Sequence, residues 1–416
     1  MAACGLDFGT SNTTLGVSRA GRAELACLEG ASDTLPSAIF YRQNGTIEVG
    51  RAAIAAYVGG EHGRLMRALK SVLGSSLIDE TTLVGRSRVK FRDVIRRYLT
   101  EVKARGEAAI GAPIDHVVHG RPVFFVDGNE KADREAETTL REIAEAIGFK
   151  DISFQYEPIA AALDYEQQLD REELALIADI GGGTSDFSLV RLGPERAKRP
   201  ERAADVLAND GVHIGGTDFD RTLSLGTVMP LLGFRTKMRA NGLDVPSTYF
   251  HNLATWSAIN RLYEPKVHRE LYEVERDAAQ PELIRRLAHV VDDERGHSLA
   301  IAVEGAKITT AEEGEVVMDL GFVEKGLSTR IDHDALVRHT DDLAVKIGAR
   351  VDGCLAQAGV SASDVDAVFM TGGSTRLSHV RQAILAAVPD ARVVDGNVFG
   401  SVGTGLTVEA GRRYGH

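Results

Sequence analysis

Hydrophobic and polar positions follow one another in short runs along the chain, a pattern that predicts strands joined by tight turns. Residues 3–19, ACGLDFGTSNTTLGVSR, are typical of a strand, a polar turn and a second strand. Residues 174–191, LALIADIGGGTSDFSLVR, repeat the pattern near the start of the second half of the chain. The repetition predicts an α/β protein with two similar lobes and a cleft between them.

Further elements follow each hairpin. Strands are predicted for ELACLE, SAIFYR and VVHGRPVFF in the first half and for RAADVLAND in the second. An amphipathic helix is predicted over residues 130–149, another after Pro158, and mainly helical structure over residues 281–310. The segment DAVFMTGGSTR predicts a strand, a glycine turn and a helix start, whereas the charged segment GPERAKRPERAAD is interpreted as a solvated loop.

Charge and cysteine content narrow the classes of function. The 416 residues carry 48 basic and 60 acidic side chains, a formal net charge of −12, which disfavours nucleic acid as a partner. Three cysteines without a CxxC motif indicate a reducing compartment, so a cytoplasmic location is expected. We expect neither export nor membrane association, because the sequence shows no signal-like start and no apolar run of about 18 residues.

The two glycine turns suggest phosphate chemistry. Backbone amides in such a turn can approach phosphate oxygens because glycine has no Cβ. Asp7 and Asp179 end the strands before the turns and would repel a phosphate unless a cation lay between them, which indicates Mg²⁺ with its water shell. Facing each other, the turns would hold a polyphosphate from both sides. A plain hairpin turn remains the alternative for each of them.

Other segments supply residues that a nucleotide site needs. Glu304 and Lys307 share a helix face and could reach one ribose, or could form a surface ion pair. The turn at Gly372 and Gly373 could admit a flat base, with Arg376 stacked on it, or could simply join a strand to a helix. Glu157 could orient a water molecule, or could interact with a helix dipole. Lys70, taken alone, is typical of a solvated helix lysine.

In their order along the chain, these segments resemble the actin-like ATPases, most closely the DnaK-type heat-shock protein 70 family. The resemblance rests on GLDFGTSNTTLGV, ALKSVLG, FQYEPIAAAL, LIADIGGGTSDFSL, HIGGTDFD, EGAKI and TGGSTR. Short sequence segments such as MPLLG resemble the YegD branch of that family, whose members consist of the ATPase module alone. The resemblance implies the actin-like ATPase fold, with two ribonuclease H-like lobes and a nucleotide cleft.

The resemblance also implies domain limits and ligands. The expected first lobe covers residues 1–172, with a small subdomain at about 34–111. The second lobe covers 173–395, with a helical subdomain at about 213–329, and residues 396–416 form a helix that returns to the first lobe. The implied ligands are ATP or ADP, Mg²⁺ and K⁺, with Asp186 helping to bind the monovalent cation.

The implied site residues fall into four groups. They are catalytic Asp7, Lys70, Glu157, Asp179 and Thr184; phosphate-binding Gly9, Thr10, Ser11, Asn12, Gly181, Gly182, Gly183 and Thr184; nucleoside-binding Gly215, Gly216, Glu304, Lys307, Gly372, Gly373, Ser374 and Arg376; and metal-proximal Asp7, Asp179 and Asp186. Three positions depart from the family pattern, namely Ile308, Ala311 and Phe399, so the preference for adenine is left open.

Four functions are compatible with the sequence. The first is a monomeric, slow Mg²⁺-dependent ATPase without a peptide-binding domain, which closes on ATP and engages a protein partner. The second is an MreB-like filament-forming ATPase. The third is a small-metabolite kinase, for which the first lobe shows no evident carboxylate base. The fourth is a module that senses ATP with negligible turnover.

Overall fold

The computed structural model describes residues 2–19, 22–84, 87–126, 128–199, 201–395 and 400–415. Phe399 lies outside the described residues. Every helix among the described residues is too short or too polar to cross a lipid bilayer.

Eighteen strands and thirteen α-helices make up the regular structure of the described residues. The strands are β1 Ala2–Phe8, β2 Asn12–Arg19, β3 Arg22–Leu25, β4 Thr34–Pro36, β5 Ala38–Arg42, β6 Ile47–Val49, β7 Gly63–Arg67, β8 Thr81–Val84, β9 Ser87–Lys90, β10 Ile114–Arg121, β11 Asp151–Tyr156, β12 Glu173–Ile180, β13 Ser185–Leu192, β14 Val206–Val212, β15 Glu315–Asp319, β16 Ser328–Asp332, β17 Ala367–Thr371 and β18 Arg392–Asp395. The helices are α1 Arg51–Val58, α2 Phe91–Ile110, α3 Glu130–Ala146, α4 Glu157–Glu166, α5 Pro194–Ala197, α6 Gly216–Thr227, α7 Thr248–Leu253, α8 Pro265–Asp277, α9 Pro281–Asp292, α10 Gly296–Glu313, α11 His333–Ala358, α12 Ser378–Ala387 and α13 Ser401–Tyr414.

The two larger sheets repeat one topology. The first has the order β3-β2-β1-β10-β11, with β4 also paired to β2, and the second has the order β14-β13-β12-β17-β18. In each sheet, three consecutive antiparallel strands are followed by two strands that add in parallel. β1 and β12 therefore occupy equivalent central places, and the duplication predicted from the two hairpins is confirmed at the level of sheet topology.

Helix α13 packs on the first sheet through small residues. A Cβ on Gly5 of β1 would overlap the backbone of α13, and one on Gly405 of α13 would overlap the carbonyl oxygen of Ala160 in α4. Leu406 of α13 is fully buried, in a cluster with Val118 and Ala160. Close approach of backbones therefore joins α13, α4 and the first sheet.

The chain forms two compact units. The first contains Met1–Val212, Ala349–Thr375 and Leu385–His416, and the second contains His213–Gly348 and Arg376–Ile384. Both larger sheets belong to the first unit. The lobe and subdomain limits expected from the resemblance stay a prediction.

The charged segment that follows β13 is not a fully solvated loop, and this part of the sequence interpretation is wrong. Arg202 and Asp205 are buried and form an ion pair. Arg202 also pairs with buried Glu166 at the end of α4, at 2.8 Å, and Glu166 accepts a bond from the Gly193 amide at 2.9 Å. Because the arginine and the two carboxylates neutralise one another, they can be buried, and their contacts hold the segment against α4.

Replacing Arg202 with alanine should strongly destabilise the first unit. The substitution leaves the Glu166 carboxylate buried without its cation, which typically costs about 3–5 kcal/mol, whereas Asp205 keeps its ion pair with Arg196. Lys198→Ala, which breaks an exposed pair with Glu195, should cost less than about 1 kcal/mol. Thermal and urea denaturation would measure both variants. Equal effects of the two substitutions would contradict a structural role for the buried ion pairs.

Candidate functional site

The two glycine turns are closed by equivalent hydrogen bonds. In the first hairpin the Gly9 amide donates to the Asn12 carbonyl oxygen at 3.0 Å, and in the second the Gly181 amide donates to the Thr184 carbonyl oxygen at 2.8 Å. Each glycine lies two residues after the aspartate of a central strand. Gly9 to Asn12 therefore corresponds to Gly181 to Thr184, so the duplication extends from sheet topology to the hydrogen bonding of the turns.

The structure brings the two turns into contact within the first unit. A Cβ on Gly182 would overlap the Oγ of Ser11, whereas a Cβ on Gly183 would meet no atom within 4 Å. A side chain at Gly182 would therefore require the Ser11 hydroxyl, or the turn that carries it, to move. This close approach is the arrangement that the sequence predicts for two phosphate-binding turns.

A lysine and an acid from distant parts of the chain meet beside these turns. Lys70 lies in a 3₁₀ turn, Leu69–Val72, that follows Ala68, whose φ of 54° is unusual for alanine. Its Nζ lies 2.5 Å from Oε1 of Glu157, and both side chains are largely buried. The interpretation of Lys70 as a solvated helix lysine is therefore wrong. Glu157 is itself the first residue of α4, which begins one residue before Pro158 and not after it.

The carboxylates at the strand ends repel one another electrostatically. Burial, together with the Glu157 and Asp179 carboxylates, raises the pKa of Asp7 to about 7, although Lys70 acts in the opposite direction. Burial also raises the pKa of Asp179, although the nearby Thr371 hydroxyl and the Lys70 ammonium group act in the opposite direction. Burial lowers the pKa of Lys70, but the Glu157 and Asp7 carboxylates outweigh it, so its pKa is raised. The surrounding carboxylates therefore stabilise the protonated, charged form of Lys70.

The donor set fits a hydrated divalent cation. One lysine accompanies four carboxylates, those of Asp7, Glu157, Asp179 and Asp186, so the group has a formal charge of −3 when all are ionised. Within the described part of the chain, no three His, Cys, Asp or Glu side chains are placed to ligate one metal directly. Mg²⁺ usually keeps several water ligands, and carboxylates that bind those waters suit it.

Further predicted residues lie in the second turn and beside it. The Thr184 hydroxyl donates to Asp186 at 2.9 Å, which connects the turn to the first residues of β13. Gly372 has a φ of 82°, and a Cβ there would overlap the Ile180 carbonyl oxygen and come within 2.9 Å of Asp179 Oδ1. Gly372 therefore needs to be glycine for both conformation and space. Gly373 and the buried Ser374 continue from it into a 3₁₀ turn.

Most residues predicted to hold the nucleoside belong to the second unit, namely Gly215, Gly216, Glu304, Lys307 and Arg376. Lys307 is buried, and its Nζ lies 2.8 Å from Asp220 and 3.2 Å from the Gly216 carbonyl oxygen. Arg376 forms an exposed ion pair with Glu312 at 2.5 Å. Glu304 is half-buried one turn before Lys307, and Ile308 is 46% exposed. Ala311 is half-buried.

Sequence reasoning missed Ser37, which contacts the first glycine turn. Its hydroxyl donates to the Gly9 carbonyl oxygen at 2.6 Å, and its amide donates to the Ser11 carbonyl oxygen at 2.8 Å. Ser37 stands 28 residues from Gly9 and forms no motif with it. Only the pairing of β4 with β2, which the sequence does not reveal, brings the two together.

Comparison with known proteins shows what kind of chain contains this site. The family model described as Hsp70 protein matches residues 80–228 and 291–403, more than half of the chain. The chain belongs to the Hsp70 family. Membership implies the actin-like ATPase fold, which agrees with the mixed α/β structure and its two sheets of equal topology.

Individual Hsp70 relatives match at low identity over most of the chain. A chaperone protein HscA homolog of Aromatoleum aromaticum is 26% identical over 400 residues, covering 92% of this chain and 53% of the relative. Another HscA homolog, from Neisseria meningitidis serogroup B, is 27% identical over 403 residues, covering 92% and 54%. The chaperone protein DnaK of Elusimicrobium minutum is 24% identical over 421 residues, covering 98% and 57%. The chain spans about half the length of these curated relatives.

The raised pKa of Asp7 predicts a pH dependence of stability in a chelator. The folded protein holds the Asp7 proton more tightly than the unfolded chain, in which the carboxyl titrates near 3.8. Stability that is present below pH 3.8 is therefore lost as the pH rises towards about 7. The melting temperature should fall less over this range in Asp7→Asn than in the wild type.

Thermal denaturation in EDTA across this pH range would measure the effect. Asp170→Asn, at an exposed position, serves as the control and should melt with the wild-type profile. An unchanged profile in Asp7→Asn would show that Asp7 is not the group that titrates.

Proposed function

We propose that this Hsp70-family chain binds ATP with Mg²⁺ and hydrolyses it slowly at the paired turns of the first unit. Members of the Hsp70 family are ATPases, which supports the general activity. The observation that carries the proposal is the buried Lys70–Glu157 pair, 2.5 Å apart, beside Asp7, Asp179 and two matching glycine turns. A lysine and a carboxylate next to amide-rich turns are the groups that phosphoryl transfer to water requires.

Each group then has a distinct role. The turns Gly9 to Asn12 and Gly181 to Thr184 hold the phosphates through backbone amides and hydroxyls. Lys70 stabilises charge on the terminal phosphoryl group, and Glu157, which fixes the position of Lys70, orients the attacking water. Asp7 and Asp179, with Asp186, would hold water molecules of a bound Mg²⁺, which would supply positive charge to neutralise the phosphates. Asp186 would also help to bind K⁺.

The wider role is also part of the proposal. We infer a YegD-like member of the family, active as a monomer in the cytoplasm, in which bound ATP changes the affinity for a protein partner. The mutual pairing of Lys70 and Glu157 favours a second candidate, an ATP sensor with negligible turnover. In that case the ion pair persists when ATP is bound, and Lys70 is not released towards the terminal phosphate.

Hydrolysis by the wild type and by Asp179→Asn tests the proposal. Removing one preorganised electrostatic group typically slows such a step about 100-fold or more, and asparagine preserves the shape of the side chain. Single-turnover hydrolysis of MgATP should therefore be slowed by at least that factor in the variant. Wild-type binding without hydrolysis would favour the sensor. Equal hydrolysis rates in the two proteins would contradict the assigned site.

Substitutions at two adjacent glycines test whether the turns bind phosphate together. Gly182→Ala places a methyl group against Ser11 Oγ, whereas Gly183→Ala adds one in open space. A displaced turn loses several amide contacts to phosphate, so the dissociation constant for MgATP should rise more than about 10-fold in Gly182→Ala. Isothermal titration would measure both variants, with Gly183→Ala expected to stay within about threefold of the wild type. Matching affinities would argue against the close contact of the turns.

A further inference from the structure

Ser37 contacts the first glycine turn from inside the protein. It lies between β4 and β5, and it is 2% exposed. Its side chain donates to the Gly9 carbonyl oxygen at 2.6 Å, and its own amide donates to the Ser11 carbonyl oxygen at 2.8 Å. One buried residue therefore holds two of the four carbonyl groups in the segment Gly9 to Asn12.

These two bonds determine where amide groups of the turn point. A trans peptide unit is planar, and its C=O and N–H groups point in opposite directions. The peptide that carries the Gly9 carbonyl also carries the Thr10 amide, and the one that carries the Ser11 carbonyl also carries the Asn12 amide. By holding both oxygens on its own side, Ser37 directs the Thr10 and Asn12 amides to the opposite side of the turn.

The Ser37 hydroxyl is itself held in one orientation. Because it donates to the Gly9 oxygen, the Thr13 hydroxyl at 3.0 Å has to act as the donor in their mutual bond. Behind them, the Tyr98 hydroxyl donates to the Pro36 carbonyl oxygen at 3.1 Å, and the Tyr98 ring packs against Phe8 with centroids 5.9 Å apart. The hydroxyl of Ser37 therefore has a fixed donor, a fixed acceptor and no access to bulk water.

We propose that Ser37 is a positioning residue for the phosphate site: it orients the Thr10 and Asn12 amides towards the phosphates and sets the place of Ser11 against Gly182. This inference rests on the proposed function, since it concerns the same ligand. It goes further in assigning the orientation of the turn to a side chain that does not itself reach the phosphates. Preorganised amides avoid a reorganisation cost on binding, which is how such a residue raises affinity.

Ser37→Ala is the variant that tests the inference, with Tyr98→Phe as its matched control. Both remove one buried hydroxyl from the same cluster and should lower the melting temperature. Only Ser37→Ala frees the Gly9 carbonyl, so the dissociation constant for MgATP should rise about 10-fold in Ser37→Ala and less than about twofold in Tyr98→Phe.

Kinetics separate positioning from general destabilisation. Because the amides contact phosphate both before and during the reaction, the MgATP concentration for half-maximal single-turnover hydrolysis should rise with the dissociation constant in Ser37→Ala. The rate at saturation should stay within about threefold of the wild type. All titrations are run at a temperature at which each variant is folded.

The outcomes are distinguishable. Wild-type affinity in Ser37→Ala, or equal weakening in both variants, would overturn the role of Ser37 while leaving the proposed function intact. If the wild type itself failed to bind MgATP, the proposed function would fall, and the role of Ser37 with it.

Discussion

The charge balance around Lys70 is the constraint on which the rest of the site depends. The buried ammonium group of Lys70 lies 2.5 Å from Glu157 and interacts electrostatically with the carboxylates of Asp7 and Asp179. The cluster of one ammonium group and three carboxylates is therefore negative overall. Such a cluster raises carboxylate pKa values and costs stability unless a cation joins it. The same negative charge would repel a polyphosphate that arrived without a metal ion. The reduced stability of the ligand-free protein and the requirement for Mg²⁺ in phosphate binding therefore have the same electrostatic cause.

Duplication explains how one chain places these groups so closely. In two sheets of equal topology, the penultimate residue of a central strand is an aspartate, and the glycine two residues later closes the turn in the same way. Bringing Ser11 and Gly182 together then places Asp7 and Asp179 near one lysine. Helix α4 adds Glu157 at its first residue, while its last residue, Glu166, is fixed by the buried Arg202.

Local patterns predict part of this arrangement, and long-range pairing decides the rest. The hairpins could be predicted because the alternation of apolar and polar residues and the glycine turns are local signals. The repeated Asp-x-Gly motif also identifies both turns. The burial of Lys70 could not, since it depends on Glu157, 87 residues away. The charged segment containing Arg202 looks solvated until Glu166 supplies its partner. Ser37 carries no local signal, because its role comes from carbonyl groups that strand pairing brings to it.

The central claim is that two turns and a negative cluster bind a metal–triphosphate together. Its most direct test is equilibrium binding of ATP to the wild-type chain, by isothermal titration, with Mg²⁺ and then with EDTA at the same ionic strength. The account predicts binding at least about 100-fold tighter with Mg²⁺. The bound cation replaces the repulsion among the carboxylates, and the repulsion between the carboxylates and the phosphates, by attraction. Equal affinity under the two conditions would contradict it.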